Sequence, residues 1–205
     1  MFTGLVRAVG TIEKIEDLNG LRRFHVKGAL NPEDLTMGAS VCHSGVCLTV
    51  VDSQAGQGAA SWVVEAVQET LDKTNLGEWV EGGTINLEPS LRLGDELGGH
   101  LVFGHVDGLG RLQAIKEDGE GFRLTIEAPA ELLPMIALKG SICVNGISLT
   151  IAGLTPTGFE LAIIPHTWEV TTLGQAKEGD TVNLEVDMLA RYVSRQMEFT
   201  DLSKA

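Results

Sequence analysis

The sequence predicts an all-β protein that consists of two tandem antiparallel barrels and one helix at the end of the chain. Three observations support this class. The chain repeats itself at an offset close to half its length. Short alternating or apolar runs recur about every ten residues, with turn residues between them. Only the last segment has a clear helical period.

The repeat is clearest where Ser40–Val50 is placed over Ser141–Ile151, because five of eleven positions are then identical. Further along, TNLG at 74–77 matches TTLG at 171–174, and EGGTINLE at 81–88 matches EGDTVNLE at 178–185. Gly4 and Val6 near the start align with Gly104 and Val106. Matches that keep their order along the chain indicate an internal duplication. We expect one barrel over 1–97, a second over 98–187, and a helical tail over 188–205.

Within the repeats, apolar and β-branched runs bounded by turn residues predict strands. These runs are Arg23–Val26, Ser61–Val67, Thr84–Glu88, Arg123–Glu127, Phe159–Ile164 and Thr181–Val186. Brief helices are expected over Pro32–Leu35, over Ala130–Met135, and after Glu69 and His166.

The terminal helix is predicted over Met188–Phe199, where Leu189, Val193 and Met197 share one stripe and Tyr192 lies alongside. Both barrels are complete without this helix. Its apolar stripe either packs back on the barrels or contacts another subunit, and we favour the second.

Composition excludes several classes of function. The chain is 43% hydrophobic, only 5% aromatic and contains 25 glycines, which favours strands and tight turns with cores of Val, Ile and Leu. The net charge of −13, without a cluster of Lys or Arg, argues against nucleic acid and anionic membranes as partners. No apolar run approaches about 18 residues and the N-terminus lacks signal-peptide features, so a soluble cytoplasmic protein is expected.

The three cysteines, Cys42, Cys47 and Cys143, do not form the even set of a disulfide framework. Cys42 and Cys47 face each other across a predicted hairpin, so a disulfide between them is geometrically conceivable, although a reducing compartment argues against it. A metal site needs more ligands than Cys42, His43 and Cys47 supply, so no metal is expected.

That hairpin occurs twice, because Asn145-Gly146 is a strong two-residue turn signal and Ser44-Gly45 holds the same place in the first repeat. Successive strand residues point to opposite faces, so each hairpin has one apolar face for the core. The other face carries Ser40, Cys42, Cys47 and Thr49 in the first repeat, and Ser141, Cys143, Ser148 and Thr150 in the second. Solvent exposure is the usual fate of such a face. Because it lacks Lys, Glu and Arg, we favour a surface that binds a flat ligand.

A second cluster, Gly98–Gly108, lies at the junction of the repeats and contains His100 and His105 among several glycines. It is compatible with a flexible linker. Glycine also lets the backbone approach a ligand closely, and histidine moves protons near neutral pH. Gly108-Leu109-Gly110 is not a dinucleotide fingerprint, because Gln113 stands where the third glycine would be.

Taken in order, these motifs resemble the riboflavin synthase family of the trimeric type, which has two lumazine-binding repeats. They are MFTGLV at the start, GVCLTV in the first hairpin, GGHLVFGHVDG at the junction, NGISLT in the second hairpin, and IPHT. The resemblance covers essentially the whole chain, including the terminal helix. It implies that each repeat is a six-stranded antiparallel Greek-key barrel.

The resemblance also implies an activity. Two molecules of 6,7-dimethyl-8-ribityllumazine would yield riboflavin and 5-amino-6-ribitylaminouracil by transfer of a four-carbon unit, without metal or organic cofactor. Two related pockets suit two identical substrates, and stacking them in near-attack geometry supplies much of the rate. It further implies a homotrimer in which each site joins the N-terminal barrel of one subunit to the C-terminal barrel of its neighbour. Whether the trimer associates with lumazine synthase is left open.

Carried over to this sequence, the family's substrate contacts fall on two sets of residues. The N-terminal pocket comprises Ser40, Cys47, Leu48, Thr49, Glu65, Ala66, Val67, Gln68, Glu69, Thr70, Gly104, His105 and Val106. The C-terminal pocket comprises Ser148, Leu149, Thr150, Ala162, Ile163, Ile164, Pro165, His166 and Thr167, closed by Gly4, Leu5 and Val6. Lys139 matches a lysine that reaches a ligand across the interface, and Asp187 matches a carboxylate near the ribityl chain.

Among these residues, His105 is our first choice for proton transfer at the acidic 7-methyl group. Cys47 or Ser40 would add to the partner ring or orient water there, and the choice of base and nucleophile stays open. Position 145 is Asn where many members carry Asp, which puts any acid–base role at that position in doubt.

Two other classes are compatible with parts of the pattern. A non-catalytic lumazine- or flavin-binding antenna or carrier would have the same fold, but the junction with His100 and His105 is intact here and both hairpins keep their hydroxyls. A flavin-dependent reductase would need a nicotinamide-binding partner domain, for which no residues remain.

Overall fold

The computed structural model describes residues 1–54 and 59–202, and it contains two closed antiparallel barrels. The first barrel consists of β1 (Ala8–Leu18), β2 (Leu21–Gly28), β3 (Ser40–His43), β4 (Val46–Gln54), β5 (Ala60–Val67) and β6 (Thr84–Pro89). The second consists of β7 (Gly108–Asp118), β8 (Gly121–Glu127), β9 (Ser141–Val144), β10 (Ile147–Thr155), β11 (Gly158–Ile163) and β12 (Thr181–Val186). The α-helices are α1 (Gln68–Lys73), α2 (Pro165–Val170) and α3 (Met188–Leu202).

Strand order is the same in both barrels. The first closes as β1-β2-β5-β4-β3-β6, and the second repeats this order with six added to each number. Strand β2 therefore pairs with β5, and β6 returns to close the barrel between β3 and β1, which is a Greek-key arrangement. The predicted fold class is confirmed.

Irregularities of pairing are also duplicated. A β-bulge lies between Ile12 and Lys14 in β1, and the corresponding bulge lies between Leu112 and Ala114 in β7. Each bulge bends its strand and increases the local twist, which helps a six-stranded sheet to close. The duplication thus extends from sequence blocks to backbone geometry.

The two hairpins have the faces that their alternation predicts. In the first, Val41, His43, Val46, Leu48 and Val50 are buried in the core of the N-terminal barrel. The equivalent residues of the second belong to the core of the other barrel, and they are Ile142, Val144, Ile147, Leu149 and Ile151. Each barrel thus has its own hydrophobic core, and alternation along the strands is sufficient to find it.

Two predicted elements extend further than the structure shows. Strand β11 stops at Ile163, one residue before the predicted end, because Ile164 precedes the first residue of α2, Pro165. The helix predicted over Ala130–Met135 is wrong for its first half, and only Leu133–Met135 forms a 3₁₀ helix. Pro134 lacks an N–H and interrupts helical hydrogen bonding there. The 3₁₀ helix at Pro32–Leu35 matches its prediction.

Reciprocal amide contacts join the barrels where their hairpin turns meet. Asn183 of β12 accepts from the Asn75 N–H at 2.8 Å and donates to the Ser44 carbonyl at 2.8 Å. Asn86, at the same place in β6, donates to the Asn145 carbonyl at 2.9 Å and accepts from the Thr172 N–H at 2.9 Å. Each barrel therefore satisfies buried main-chain groups of the other.

Helix α3 follows β12 and exposes most of its apolar stripe. Exposed large side chains on it are Leu189, Tyr192, Val193, Met197 and Phe199. Within the ranges that the structure describes, no helix is both long and apolar enough to span a membrane.

Candidate functional site

The polar faces of the two hairpins divide into a buried part and an accessible part. Cys42 and Cys143 are each only 1% exposed and pack with Phe2 and Val102 between the barrels. The expectation that the whole polar face binds ligand is therefore wrong for these two thiols. Across each hairpin, Cys47 pairs with Cys42 and Ser148 with Cys143, and both Cys47 and Ser148 remain half-buried.

Two segments cross from one barrel to the other and cover these half-buried residues. We call residues 2–6 the N-terminal strap and residues 102–106 the junction strap. The straps pair with each other through the bridge between Phe2 and Val102. Val6 then packs against the core of the C-terminal barrel, whereas Val106 packs against the core of the N-terminal barrel. Each strap thus reaches the barrel that is distant in sequence.

A glycine brings each strap into contact with the hairpin below it. The Cys47 N–H donates to the Gly104 carbonyl at 3.0 Å, and the Ser148 N–H donates to the Gly4 carbonyl at 2.8 Å. Gly104 has φ +73° and Gly4 has φ +75°, in the left-handed region. A Cβ added to either glycine would lie 2.6 Å from the Cβ of Cys47 or of Ser148. Glycine is required at both contacts.

In the N-terminal barrel, the structure brings four predicted site residues to one place. Cys47 lies beneath Gly104, and His105 follows directly in the junction strap with its side chain exposed. Thr49 is exposed on the same face as Cys47, and Ser40 is paired opposite Thr49. The thiol and the two hydroxyls therefore share one hairpin face, and the strap that carries His105 crosses above it.

In the C-terminal barrel, Ser148 has a histidine partner. The His100 Nδ1 lies 2.7 Å from the Ser148 Oγ. The main-chain N–H of His100 donates to the Thr3 carbonyl at 3.2 Å. Burial lowers the pKa of His100, and the carboxylate of Asp187 opposes this shift. A neutral imidazole beside a hydroxyl is suited to accept a proton from it. The His100 Nε2 has no hydrogen-bond partner within the part of the chain that the structure describes.

The other residues predicted to contact substrate fall into an exposed group and a buried group. Val67, Gln68 and Glu69 at the start of α1 are exposed, and so are Ile164, Pro165 and His166 at the start of α2. The core instead holds the side chains of Leu48, Ala66 and Ile163. These three can face a ligand only through their backbone.

Three further residues predicted to contact substrate, Glu65, Lys139 and Asp187, have partners of their own or are exposed. Glu65 is bound by Arg23, whose Nη2 lies 2.6 Å from its Oε1. Lys139 is exposed with φ +65°, and Asp187 accepts from the N–H of Leu189 at 2.9 Å at the start of α3. Asp187 therefore lies at the N-terminus of α3, and its charge raises the pKa of His100 against the effect of burial.

Sequence reasoning missed the pairing of His100 with Ser148 and the burial of two glutamates, Glu88 and Glu185. The spacing of the two junction histidines marked His100 as unusual without indicating its partner. The glutamates end the duplicated blocks EGGTINLE and EGDTVNLE. An acidic residue that recurs in an apolar strand of both repeats was the available signal.

No metal centre or disulfide is found among the described residues. No group of three or more His, Cys, Asp or Glu side chains within 1–54 and 59–202 could hold a metal ion. Cys42, Cys47 and Cys143 are all free thiols. Burial raises the pKa of Cys42 and of Cys143 well above the usual value, so these two thiols stay protonated at neutral pH.

Known proteins match this duplicated arrangement. A family model described as the lumazine binding domain matches residues 3–90 and again residues 103–187. The chain is 46% identical over 200 residues to riboflavin synthase of Brucella abortus (strain 2308), which covers 97% of this chain and 99% of that protein. It is 42% identical over 200 residues to riboflavin synthase of Mycobacterium bovis, with coverages of 96% and 98%. Riboflavin synthase of Bacillus subtilis (strain 168) is 35% identical over 195 residues.

Solved structures share the fold. LumP complexed with riboflavin superposes with a TM-score of 0.80 at 24% identity, and covers 91% of this chain and 99% of its own. LumP complexed with 6,7-dimethyl-8-(1'-D-ribityl) lumazine gives a TM-score of 0.76 at 23% identity. Two barrels that each match the lumazine binding domain define a duplicated lumazine-binding-domain protein. Within that class the chain belongs to the riboflavin synthase family, since these relatives match it over nearly its full length.

Proposed function

We propose that this protein catalyses the conversion of two molecules of 6,7-dimethyl-8-ribityllumazine into riboflavin and 5-amino-6-ribitylaminouracil. A four-carbon unit passes from one lumazine to the other, and the atoms of two substrates suffice for both products. The proposal is supported chiefly by the full-length likeness to riboflavin synthases. It is supported independently by two strap-covered hairpins with equivalent backbones, since a reaction between two identical molecules requires two related sites.

The two sites divide the chemistry in this proposal. His105 transfers the proton of the 7-methyl group, because its exposed imidazole follows the glycine that covers Cys47. Cys47 or Ser40 adds to the partner ring or orients water there. In the C-terminal barrel, His100 activates the Ser148 hydroxyl across their 2.7 Å contact. Stacking of the two bound rings supplies much of the rate enhancement.

We further propose that three copies assemble so that the N-terminal barrel of one subunit faces the C-terminal barrel of the next. The exposed stripe on α3 supports this, as do Val67 and Ile164, which are 56% and 62% exposed at equivalent positions of the two repeats. Apolar groups that are open in one chain favour burial against a neighbour. A cytoplasmic location and an association with lumazine synthase are additional hypotheses.

The trimer proposal is tested by a truncated protein that ends at Asp187. The expected result in analytical ultracentrifugation is a monomer with little activity, because the stripe on α3 is gone. A truncated protein that still sediments as a trimer would refute the role of α3.

The activity itself is tested by mixing the purified protein with 6,7-dimethyl-8-ribityllumazine alone, in the presence of a chelator. Riboflavin absorbance and fluorescence should rise steadily, with one riboflavin formed for two lumazines consumed. Tight binding of the lumazine without riboflavin formation would instead identify a carrier or antenna protein, and the proposed activity would be wrong.

A further inference from the structure

Each strap is held by one buried carboxylate that the proposed chemistry does not use. Glu88 of β6 is 4% exposed. Its Oε1 accepts from the Thr3 N–H at 2.7 Å and from the Thr3 hydroxyl at 2.6 Å, and its Oε2 accepts from the Gly4 N–H at 2.9 Å. All three donors belong to the N-terminal strap.

Glu185 of β12 has the equivalent role in the second barrel, where it is 2% exposed and accepts three hydrogen bonds from the other strap. Its Oε1 accepts from the Phe103 N–H at 2.8 Å. Its Oε2 accepts from the Gly104 N–H at 2.8 Å and from the His105 N–H at 3.0 Å. All three donors are consecutive main-chain groups of the junction strap, so this carboxylate fixes the backbone of His105 directly.

A carboxylate is suited to this task because it only accepts hydrogen bonds and offers two oxygens to converging donors. Burial raises the pKa of both glutamates, and the hydrogen bonds from the straps oppose that rise. A glutamine at either position would turn an amide NH₂ towards a main-chain N–H. Two donors would then face each other, and the hydrogen bond that fixes the strap at that point would be lost.

The connections run crosswise. Glu88 belongs to the N-terminal barrel, yet the strap that it holds lies over Ser148 of the C-terminal barrel. Glu185 belongs to the C-terminal barrel, yet its strap lies over Cys47 of the N-terminal barrel. Each site is therefore closed by a segment that is anchored in the other barrel.

The junction strap has a second anchor just beyond it. Asp107 accepts from the Val186 N–H at 2.9 Å and pairs with Arg191 of α3 at 2.8 Å. Arg7 occupies the equivalent position of the first repeat and cannot serve as such an acceptor. The terminal helix is thus tied to the strap that carries His105.

We propose that Glu88 and Glu185 are positioning residues, each of which holds the strap over the site in the opposite barrel. The proposal deepens the proposed function, because Cys47 and Ser148 are the hairpin residues assigned there to the reaction. The hydrogen bonds from the straps to Glu88 and Glu185 are present in the protein without substrate.

The test measures alkylation of Cys47 by iodoacetamide in the ligand-free, full-length protein, followed by peptide mass mapping. Glu185→Gln should accelerate labelling of Cys47 by about tenfold, since the strap above it loses at least one hydrogen bond. Glu88→Gln is the matched control, and it should change the same rate by less than about twofold. Equal acceleration by both variants, or none by Glu185→Gln, would overturn the proposal.

Cys42 and Cys143 serve as internal controls for folding, since both are buried and their labelling would report general loosening. The converse experiment uses a Cys47→Ser, Ser148→Cys background. There Glu88→Gln should accelerate labelling at position 148, and Glu185→Gln should not. A general loss of stability cannot produce opposite patterns at the two sites.

Milder variants keep the test decisive if either glutamine variant fails to fold. Thr3→Val removes the hydroxyl bond to Glu88 and the bond that the same hydroxyl accepts from the Leu5 N–H. Both bonds belong to the N-terminal strap, so the variant should act on position 148 alone. Asp107→Asn weakens the second anchor of the junction strap and should act on Cys47 alone. Labelling needs no substrate, so a wild-type protein that forms no riboflavin would refute the proposed function and leave the strap proposal standing.

Discussion

The two barrels share one backbone plan and differ in the side chains placed on it. Both have the same strand order, equivalent bulges, a glycine contact beneath a strap, and a buried glutamate that binds three donors. One hydrogen-bonded pair gives the N-terminal core a polar contact that the C-terminal core lacks. In the N-terminal barrel, the Trp62 Nε1–H donates to His43 Nε2 at 2.9 Å, whereas Phe159 and Val144 occupy the equivalent places in the C-terminal barrel.

The sites differ in the source of their histidine. His105 follows the strap glycine at the N-terminal site, and Leu5 holds the equivalent place at the C-terminal site. His100 reaches Ser148 from the residues that lead into the junction strap. Both histidines therefore come from one short segment between the barrels. The duplication kept main-chain geometry in two copies, while this single segment brings one histidine to each of the two strap-covered hairpins, so the hairpins are not independent.

The largest expected effect concerns His105. Replacement by Gln should lower kcat by about 100-fold or more while the lumazine still binds, because general acid–base catalysis contributes roughly that much. Stopped-flow riboflavin formation and equilibrium binding would measure the two parts separately. His25→Gln, on the outer face of the N-terminal barrel, is the control and should leave kcat unchanged. Unchanged turnover in His105→Gln would remove His105 from the mechanism.

Substitution of a strap glycine would disrupt the contact between the strap and its hairpin without altering a reactive group. Gly104→Ala should lower the free energy of unfolding by about 3 kcal/mol, since a Cβ at φ +73° would also lie 2.5 Å from the Cys47 N. Gly20→Ala has a similar φ of +77° with nothing within 4 Å, and should lower it by only about 1 kcal/mol. Urea denaturation of both variants measures the difference. Equal losses would contradict the close approach of the junction strap.

The His43–Trp62 pair predicts a pH dependence that the other core lacks. Burial lowers the pKa of His43 to about 4 from 6.5, so as pH falls the unfolded chain takes up a proton that the folded chain refuses. This contribution to stability is complete above pH 6.5 and is lost towards pH 4, by about 2 kcal/mol between pH 8 and pH 5. The double variant His43→Val, Trp62→Phe, which copies the C-terminal core, should lack this component. Parallel curves for the two proteins would contradict the prediction.

The smallest expected effect concerns Asn145, the turn residue of the second hairpin. Its Oδ1 accepts from the Asn183 N–H at 2.8 Å and faces the inter-barrel contact. Asn145→Asp keeps that acceptor, so kcat should change by less than about twofold, whereas Asn145→Ala should destabilise the protein by about 1–2 kcal/mol. A large gain in kcat with Asp would restore an acid–base role at this position.

Much of the fold was predictable from the sequence, and part of the site was not. Alternation in the hairpins correctly placed His43 and Cys47 on opposite faces, because the face to which a strand side chain points depends only on its position along the strand. The same reasoning assigned Cys42 and Cys143 to a ligand surface, and failed because packing of one barrel on the other is not encoded in the alternation of either. The ends of β11 and of the 3₁₀ helix at Leu133–Met135 depended on single prolines.

By itself, the sequence determined the duplication, the two barrels, the core face of each hairpin and the terminal helix, since each follows from periodicity or from a match between segments. Only the tertiary structure decided which barrel each strap covers, which histidine binds Ser148, and which glutamates are buried. The Thr3–Glu88 contact joins residues 85 apart in sequence. Such contacts are selected by closure and packing of the barrels, and local sequence patterns carry no signal for them.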